Sequence, residues 1–370
     1  MKPQIIAFYL PQFYPFEEND KWWGKGFTEW TSVGKAKPLF DGHYQPRVPA
    51  DLGYYDLRDE KVREQQAQLA QEAGVTAFCY WHYWFGNGKR LLSQVFDEVL
   101  ESGAPDFPFC LGWANHSWYK KTWVGVKEDK LLMEQTYPGI EDAKMHFNFL
   151  KKAFSDHRYL KIDGKPFFYI FDPESLPEDY IINFRAWSKE AGFKDLYIVA
   201  NVFNTDYPPE RYTAKGLYDA VVYNRLSDIL YKGFSSYSLI KKKVLQGQRY
   251  IKQIVTGKPR GAINYAKTYH QLITNQEQRE DVIPELIPQW DHSPRSADRA
   301  AVICYNSTPE YFYKHVLDVL NAVVGKPEKN QIILLKSWNE WGEGNYMEPD
   351  LKFGKGYIKA LRKALDDYDK

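Results

Sequence analysis

The sequence predicts an α/β protein built as a single (β/α)8 TIM barrel, with long aromatic-rich loops at its C-terminal face. Three observations carry this expectation. Apolar runs of strand length alternate with helix-period segments eight times over 370 residues, the signature of that barrel. Clusters of polar and aromatic residues follow the C-terminal ends of the strands, where barrels build their sites. The main rival, an open doubly wound sheet, wants a glycine-rich phosphate turn after its first strand, and Leu10-Pro11-Gln12-Phe13 offers none. No linker and no short-period repeat divides residues 1–370, which read as one domain.

Residues 4–10 read as the first strand, running into Tyr9-Leu10-Pro11-Gln12. A long irregular segment, 15–58, follows with Trp22-Trp23-Gly24 and Gly26-Phe27-Thr28-Glu29-Trp30. Structureless stretches of this length are usually functional; an ordered cap packed across the barrel end is the competing reading. Residues 60–73 form a helix with Val62, Leu69 and Ala73 on one face and Gly74 as its stop. The second strand, 75–81, leads into Trp81-His82-Tyr83-Trp84-Phe85-Gly86, and a helix over 89–102 follows. The third strand, 107–113, leads into Trp113-Ala114-Asn115-His116-Ser117-Trp118. Helices at 141–154 and 177–191 flank the fourth strand, 166–171, and strands five and six fall at 196–200 and 218–222. Residues 229–257 read as helix-rich, and 286–290 as a short seventh strand before Asp291-His292-Ser293-Pro294-Arg295. Thr308-Pro309-Glu310 opens a helix, with the hydroxyl as N-cap and proline in the first turn. The eighth strand is Ile332-Ile333-Leu334-Leu335, which runs into Lys336-Ser337-Trp338-Asn339-Glu340-Trp341-Gly342-Glu343-Gly344; a helix over 357–365 closes the chain.

Composition narrows the function. The formal net charge is +1, so no global field draws nucleic acid or an anionic membrane. No stretch approaches the ~20 apolar residues of a membrane span. The apolar run at the N-terminus is too short for a signal-peptide core and is broken by Pro11 and Gln12, so the expected location is the cytoplasm. Cys79, Cys110 and Cys304 are isolated and odd in number, which argues against a disulfide framework and a cysteine zinc site. Aromatic residues reach 17%, with 12 Trp and 28 Tyr. Many lie in polar, glycine-containing segments, which places them in a cleft or in lid packing.

Glu340 and Glu343 are the leading candidates for chemistry. If the chain turns helically after the strand, spacing of three puts both carboxylates on one side, near the ~5.5 Å separation of retaining glycosidases. Like charges that close drive one proton affinity up and leave a neutral acid beside an ionised partner. Acidic residues also favour the first turn of any helix, and spacing alone leaves the two readings level; the flanking Trp338, Trp341 and Gly344 favour a sugar site, with Asn339 as a further candidate contact. Trp113, Asn115 and His116 offer stacking and hydroxyl contacts, although a lone histidine is more often structural. Trp290 and Asp291 offer the same, with Arg295 read as an anchor for Asp291 and its loop. Tyr9, Glu29, Trp30, Trp81 and Tyr83 complete the candidate pocket, each with packing as the alternative. The Asp-x-Asp pattern of a metal-dependent nucleotide-sugar transferase occurs once, at Asp367-Tyr368-Asp369, and reads as a solvated end. There is no Walker motif and no serine nucleophile elbow.

The ordered set Gly26-Phe27-Thr28-Glu29-Trp30, Gly42-His43-Tyr44-Gln45-Pro46, Trp81-His82-Tyr83-Trp84-Phe85, Trp113-Ala114-Asn115, Pro288-Gln289-Trp290-Asp291 and Trp338-Asn339-Glu340-Trp341-Gly342-Glu343-Gly344 resembles the WbsX-like proteins. That group is associated with lipopolysaccharide or O-antigen biosynthesis and is similar to glycoside hydrolase family 99, the endo-α-mannosidases and endo-α-mannanases. The resemblance covers nearly the whole chain; to the hydrolases it rests on the barrel and Glu-Trp-x-Glu. It implies retention of anomeric configuration without metal or cofactor, through a 1,2-anhydro sugar formed by the substrate's own 2-hydroxyl. It also implies Glu340 as the base for that hydroxyl and Glu343 as the acid/base. WbsX-like proteins commonly carry Trp-Ala-Asn-Glu after the third strand, where this chain has His116.

The expected function is therefore a retaining glycoside hydrolase on an α-linked, mannose-like glycan, with an oligosaccharide or polysaccharide as its partner. A glycosyltransferase or trans-glycosidase in polysaccharide assembly is the first alternative, and a non-catalytic carbohydrate-binding barrel the second.

Overall fold

The computed structural model describes residues 2–120, 130–226 and 253–368, with positions 229, 247 and 251. Its centre is a sheet of eight parallel strands: β1 Gln4–Tyr9, β2 Ala77–Trp84, β3 Phe109–Trp113, β4 Lys165–Ile170, β5 Tyr197–Val202, β6 Ala220–Tyr223, β7 Glu285–Leu286 and β8 Ile332–Leu335. They neighbour one another in the order β6-β5-β4-β3-β2-β1-β8-β7. The open ends meet at one bridge between Val221 and Val282. There Val221 N–H donates to Asp281 O at 2.9 Å, and Ile283 N–H donates to Val221 O at 2.8 Å. The sheet is thereby nearly closed into the barrel that the alternation of strand and helix predicts.

These strands read as apolar runs because both faces are covered. Every residue of β3 and β5 is buried. Inside, Phe8 stacks on Trp81 with centroids 4.6 Å apart, and Tyr169 meets Phe8 edge-on at 4.9 Å. Gly112 makes room for that layer: a Cβ there would lie 3.1 Å from Cys79 Sγ and 3.4 Å from the Trp81 ring. Outside, helices Glu60–Ala73, Gln94–Ser102, Ile140–Phe154, Glu178–Glu190, Pro309–Val323 and Gly356–Tyr368 turn apolar faces to the sheet. Thr308 caps its helix as expected, accepting from Tyr311 N–H.

Several expected boundaries move, each for a local reason. β7 is two residues long, because Pro284 and Pro288 flank it and neither has an N–H for the ladder. β2 runs on to Trp84, and Arg90–Leu91 folds back antiparallel on its end. The helix expected from 89 starts at Gln94, since Gly86, Asn87, Gly88 and Leu92 take positive φ in that turn. The irregular segment 15–58 contains two helices, Glu17–Trp23 and Glu29–Lys35, the second with a Thr28–Thr31 capping box. A hairpin, Trp118–Lys120 with Lys130–Met133, and a parallel pair, Ala262–Asn264 with Ile303–Tyr305, add to the upper face. The helix-rich segment expected over 229–257 lies mostly outside the described residues. No helix among the described residues is long and apolar enough to cross a membrane. The three cysteines are free and buried.

A buried ion pair sits inside the barrel: Lys336 Nζ lies 2.7 Å from Glu285 Oε1, with side chains 8% and 3% exposed. Burial pushes the Glu285 carboxyl up, and Lys336 opposes it. Removing one partner strands the other charge, whereas removing both does not. Lys336→Met is expected to lower stability by about 3–5 kcal/mol, and Lys336→Met with Glu285→Leu by much less. Denaturant unfolding of the two variants measures the difference, and equal losses would contradict it.

Candidate active site

Beyond β8 the chain makes a tight hairpin. Asn339–Glu340 pairs antiparallel with Asn345–Tyr346, and a 3-10 turn over Trp341–Glu343 joins them, with Gly344 at φ 53° behind it. In a 3-10 turn side chains three apart eclipse, so Glu340 and Glu343 project the same way. The expected helical turn is this tighter one. Both side chains open slightly outward, 15% and 19% exposed.

Two buried polar shells hold the turn. In the first, Asn339 brackets Leu10: its Oδ1 accepts from Leu10 N at 2.8 Å and its Nδ2 donates to Leu10 O at 3.0 Å. Trp341 stacks on Tyr346 at 3.7 Å, and its indole N–H donates to Glu348 Oε2 at 2.6 Å. Glu348 also accepts from Tyr55 OH at 2.9 Å and from Gln66 Nε2 at 2.6 Å, and Gln66 Oε1 accepts from Tyr9 OH at 2.6 Å. Burial pushes Glu348 up to about 7, against these donors.

The second shell joins the loop Gly42-His43-Tyr44-Gln45-Pro46 to the end of the β7 segment. Asp291 Oδ2 accepts from His43 Nε2 at 2.8 Å and from Gln45 Nε2 at 2.7 Å, and Oδ1 accepts from Ser293 N at 2.9 Å. Leu39 N–H donates to His43 Nδ1 at 3.1 Å, which puts the ring proton on Nε2. Burial raises the Asp291 carboxyl, but His43 and Arg47 outweigh it and hold it low. Arg47 donates to Gln289 Oε1 and, at 3.1 Å, to Gly344 O. Asp291 N–H closes the shell on Glu343 O at 2.6 Å.

In front of the turn stands Arg295. Its Nη1 donates to Glu343 Oε1, its Nη2 donates to Glu29 Oε1 at 2.8 Å, and Nη2 lies 3.8 Å from Glu340 Oε1. The other Glu343 oxygen lies 2.9 Å from His292 Nε2, which is 2.8 Å from the Trp290 indole nitrogen. Glu340 Oε2 accepts from Ser337 Oγ at 3.0 Å. The two proton affinities separate accordingly. Burial and the Glu343 charge push Glu340 up to about 7. Burial also raises Glu343, but His292, Arg295 and Trp290 outweigh it and hold that carboxyl far below the usual range.

The structure thus brings Glu29, Glu340 and Glu343 together, with Trp290 beside Glu343. Tyr83 and His116 face the same group. Burial and then the Glu340 charge raise the Tyr83 phenol. Burial lowers the His116 imidazole against Asp172 and Glu343, and its buried Nδ1 has no partner among the described residues. Trp81 lies half-buried in the barrel mouth, and Tyr83 meets half-buried Trp118 edge-on at 5.1 Å.

Other candidates stand behind the cleft. Trp113 and Trp338 are fully buried, the first donating to Trp84 O at 3.0 Å, the second packed on Phe78. Tyr9 and Trp341 belong to the Glu348 shell. Asn115 brackets Asp172, donating to its O at 2.7 Å and accepting from its N at 2.8 Å. Trp30 packs on Phe13, Tyr55 and Trp341, with its N–H on Tyr55 O. Asp291 is a buried hub, and the expected Asp291–Arg295 pair gives way to Arg295 among three glutamates. His292, Arg47 and Glu348 carry site functions that no sequence signal singled out, although His292 and Arg295 lie in a quoted cluster. Among the described residues no group of His, Cys, Asp or Glu is arranged to hold a metal ion. Asp367 accepts from Tyr313 OH, and Asp369 lies outside the described residues.

This barrel is shared with solved glycoside hydrolase structures. One called a glycoside hydrolase-like protein matches with TM-score 0.61 at 17% identity, over 98% of this chain and 94% of its own. The family 99 endo-α-mannosidase of Bacteroides thetaiotaomicron matches with TM-score 0.57 at 15% identity, over 99% and 97%. At such identities the likeness is one of fold. The chain itself belongs to the family described as Glycosyltransferase WbsX, whose profile matches residues 5–361. Two forms of the uncharacterised protein WxcX, from two strains of Xanthomonas campestris pv. campestris, are 32% identical over 367 residues. Those alignments cover 98% of this chain and 49% of theirs, so the chain spans about half the length of the curated relatives it matches.

Gly342 is what lets Glu29 reach Arg295. A Cβ at 342 would lie 1.7 Å from Glu29 Oε2 and 3.0 Å from Arg295 Nε. Gly342→Ala is expected to cost about 1–3 kcal/mol, and distinctly less in a Glu29→Ser background, where the clash is gone. Thermal unfolding of the single and double variants gives the coupling; strictly additive losses would refute the contact.

Proposed function

We propose that this chain is a retaining glycoside hydrolase acting on an α-linked, mannose-like glycan. The observation that carries the reading is the pair Glu340 and Glu343 on one 3-10 turn at the barrel mouth, held in unlike surroundings. Glycosidic hydrolysis needs two carboxylates of different proton affinity, one to protonate the leaving oxygen and one to take the proton of the nucleophile. Trp81, Tyr83, Trp118 and Trp290 add ring faces suited to sugar C–H groups, and His116 adds a hydrogen-bonding nitrogen for a hydroxyl. Retention and the 1,2-anhydro route come from the resemblance to family 99. In that route the substrate's 2-hydroxyl attacks the anomeric carbon, and water then opens the anhydro ring.

The family's description favours a second reading, a glycosyltransferase or trans-glycosidase in polysaccharide assembly. The same pair serves it if an acceptor hydroxyl replaces water. Calorimetric titration with nucleotide sugars separates the two, since a hydrolase should take up no heat from the nucleotide.

Glu340→Gln and Glu343→Gln should each lower kcat/KM on a cleavable α-mannan or mannosaccharide by about 10²–10⁴-fold, with little change in melting temperature. Reducing-sugar release from a polysaccharide panel reads this out. Full activity in both variants would end the assignment.

A further inference from the structure

We propose that Phe171 and Phe203, with His116 and Asn201, form a second sugar-binding position beside the carboxylate pair, one that holds a further neutral hexose unit of the glycan being cleaved. For the identity of its ligand the inference rests on the hydrolase reading.

The register of the barrel puts these side chains on one wall. Trp81, Gly112, Tyr169 and Val199 stand level across β2 to β5. They face inward, since Trp81 and Tyr169 both pack on Phe8. Successive side chains of a strand alternate between its faces. Phe171 and Asn201 are therefore the next inward positions, and Phe203 follows Asn201. Phe171 and Phe203 are also the first residues past the ends of β4 and β5, so their rings stand at the barrel mouth.

The rings climb from the floor of the mouth to its rim. Phe8 covers one face of Trp81. Phe171 meets Trp81 at 5.9 Å with the planes at 83°, and Phe203 meets Phe171 at 5.1 Å with the planes at 76°. Edge-on contacts cover less of a ring face than stacking does. Trp81 and Phe171 are half-buried, and Phe203 is 47% exposed. Open ring faces in a cleft suit the C–H face of a sugar.

Two polar atoms on the same wall lack partners. Asn201 is buried, and its Nδ2 donates to Phe171 O at 3.0 Å, while its Oδ1 accepts from no group among the described residues. His116 packs on Phe171 at 4.8 Å, and its unpartnered Nδ1 lies on the same side of the mouth. Buried polar atoms are almost always hydrogen-bonded, so both want a group from outside the chain. A hydroxyl serves either, because it donates and accepts. Burial lowers the His116 imidazole against Asp172 and Glu343, so His116 meets its ligand uncharged near pH 7, which fits a neutral sugar. The charge of Glu343 reaches His116, which places the wall next to the pair. A single sugar at the pair leaves this wall empty, whereas a longer glycan fills both.

The test does not require turnover. The Glu343→Gln chain is titrated calorimetrically with mannose and with α-linked manno-oligosaccharides up to the hexaose. Affinity should rise from the monosaccharide to the longer glycans. Adding Phe203→Ala should cut that gain by about 10-fold, and Phe203→Trp should restore it. Because Phe203 is so exposed, the melting temperature should stay within a degree or so. Unchanged affinity for the longer glycans in Phe203→Ala would overturn the subsite, and so would a failure of all these glycans to bind. A variant that altered only self-association in sedimentation would make the ring a contact between copies and overturn it too. Imidazole nitrogens labelled with 15N give a second readout. The signal that vanishes in His116→Gln should shift when the oligosaccharide is added, and an unmoved signal would remove His116 from the site. The hydrolase reading fails separately: if the native chain binds with this length dependence but releases no reducing sugar, the subsite stands and hydrolysis does not.

Discussion

Two carboxylates on one tight turn repel each other, and a hairpin this short cannot restrain them by itself. The rest of the upper barrel is arranged to meet that constraint. Each buried polar group near the turn must find a partner or cost free energy, and the partners come from elements far apart in the chain. Glu348 gathers Trp341, Tyr55 and Gln66 beneath the turn. Asp291 gathers His43 and Gln45 behind it, and Arg47 ties Gln289 to Gly344. Hydrogen bonds in networks of this kind are strengthened by the low dielectric of the interior. The long segment after β1 is thus a scaffold as much as a cap: it supplies Glu29, His43, Gln45, Arg47 and Tyr55.

The same constraint produces asymmetry. One guanidinium cannot neutralise three carboxylates, so the turn keeps one glutamate bonded to Arg295 and one 3.8 Å from it. An imidazole, an indole and a hydroxyl complete the difference. Nothing in the spacing of the two residues contains this. It arises because helix Glu29–Lys35 and the segment at Ser293–Ser296 both rest on the turn.

The barrel was legible because its parallel strands are covered on both faces and so read as unbroken apolar runs, as Phe109–Trp113 does. Spacing alone leaves Glu340 and Glu343 level between a helix start and a sugar site, and it was the flanking Trp338, Trp341 and Gly344 that singled them out. What was not legible was direction. A tryptophan or asparagine just past a strand can face the cleft or the seam between loops, and its type does not say which. Trp113 and Trp338 are walls, and Asn115 and Asn339 are brackets on passing backbone. Asp291 reads as a sugar ligand until His43 and Gln45 are seen to take one of its oxygens and the Ser293 N–H the other. The brevity of β7 was written in Pro284 and Pro288, whereas the ends of β2 and of the following helix depended on positive φ at Asn87 and Leu92, residues that rarely adopt it.

The absent side chain at Gly342 has a consequence of its own. Glu29 lies where a methyl group at 342 would be, so the Gly-Phe-Thr-Glu-Trp and Glu-Trp-Gly-Glu stretches share one volume although they stand at opposite ends of the chain. Neither can drift alone. A larger residue at 342 would push the Glu29 carboxylate aside or require a shorter residue at 29, and either would loosen its hold on the guanidinium. The two stretches are a single packing unit, so a barrel carrying one without the other would hold its pair of glutamates differently.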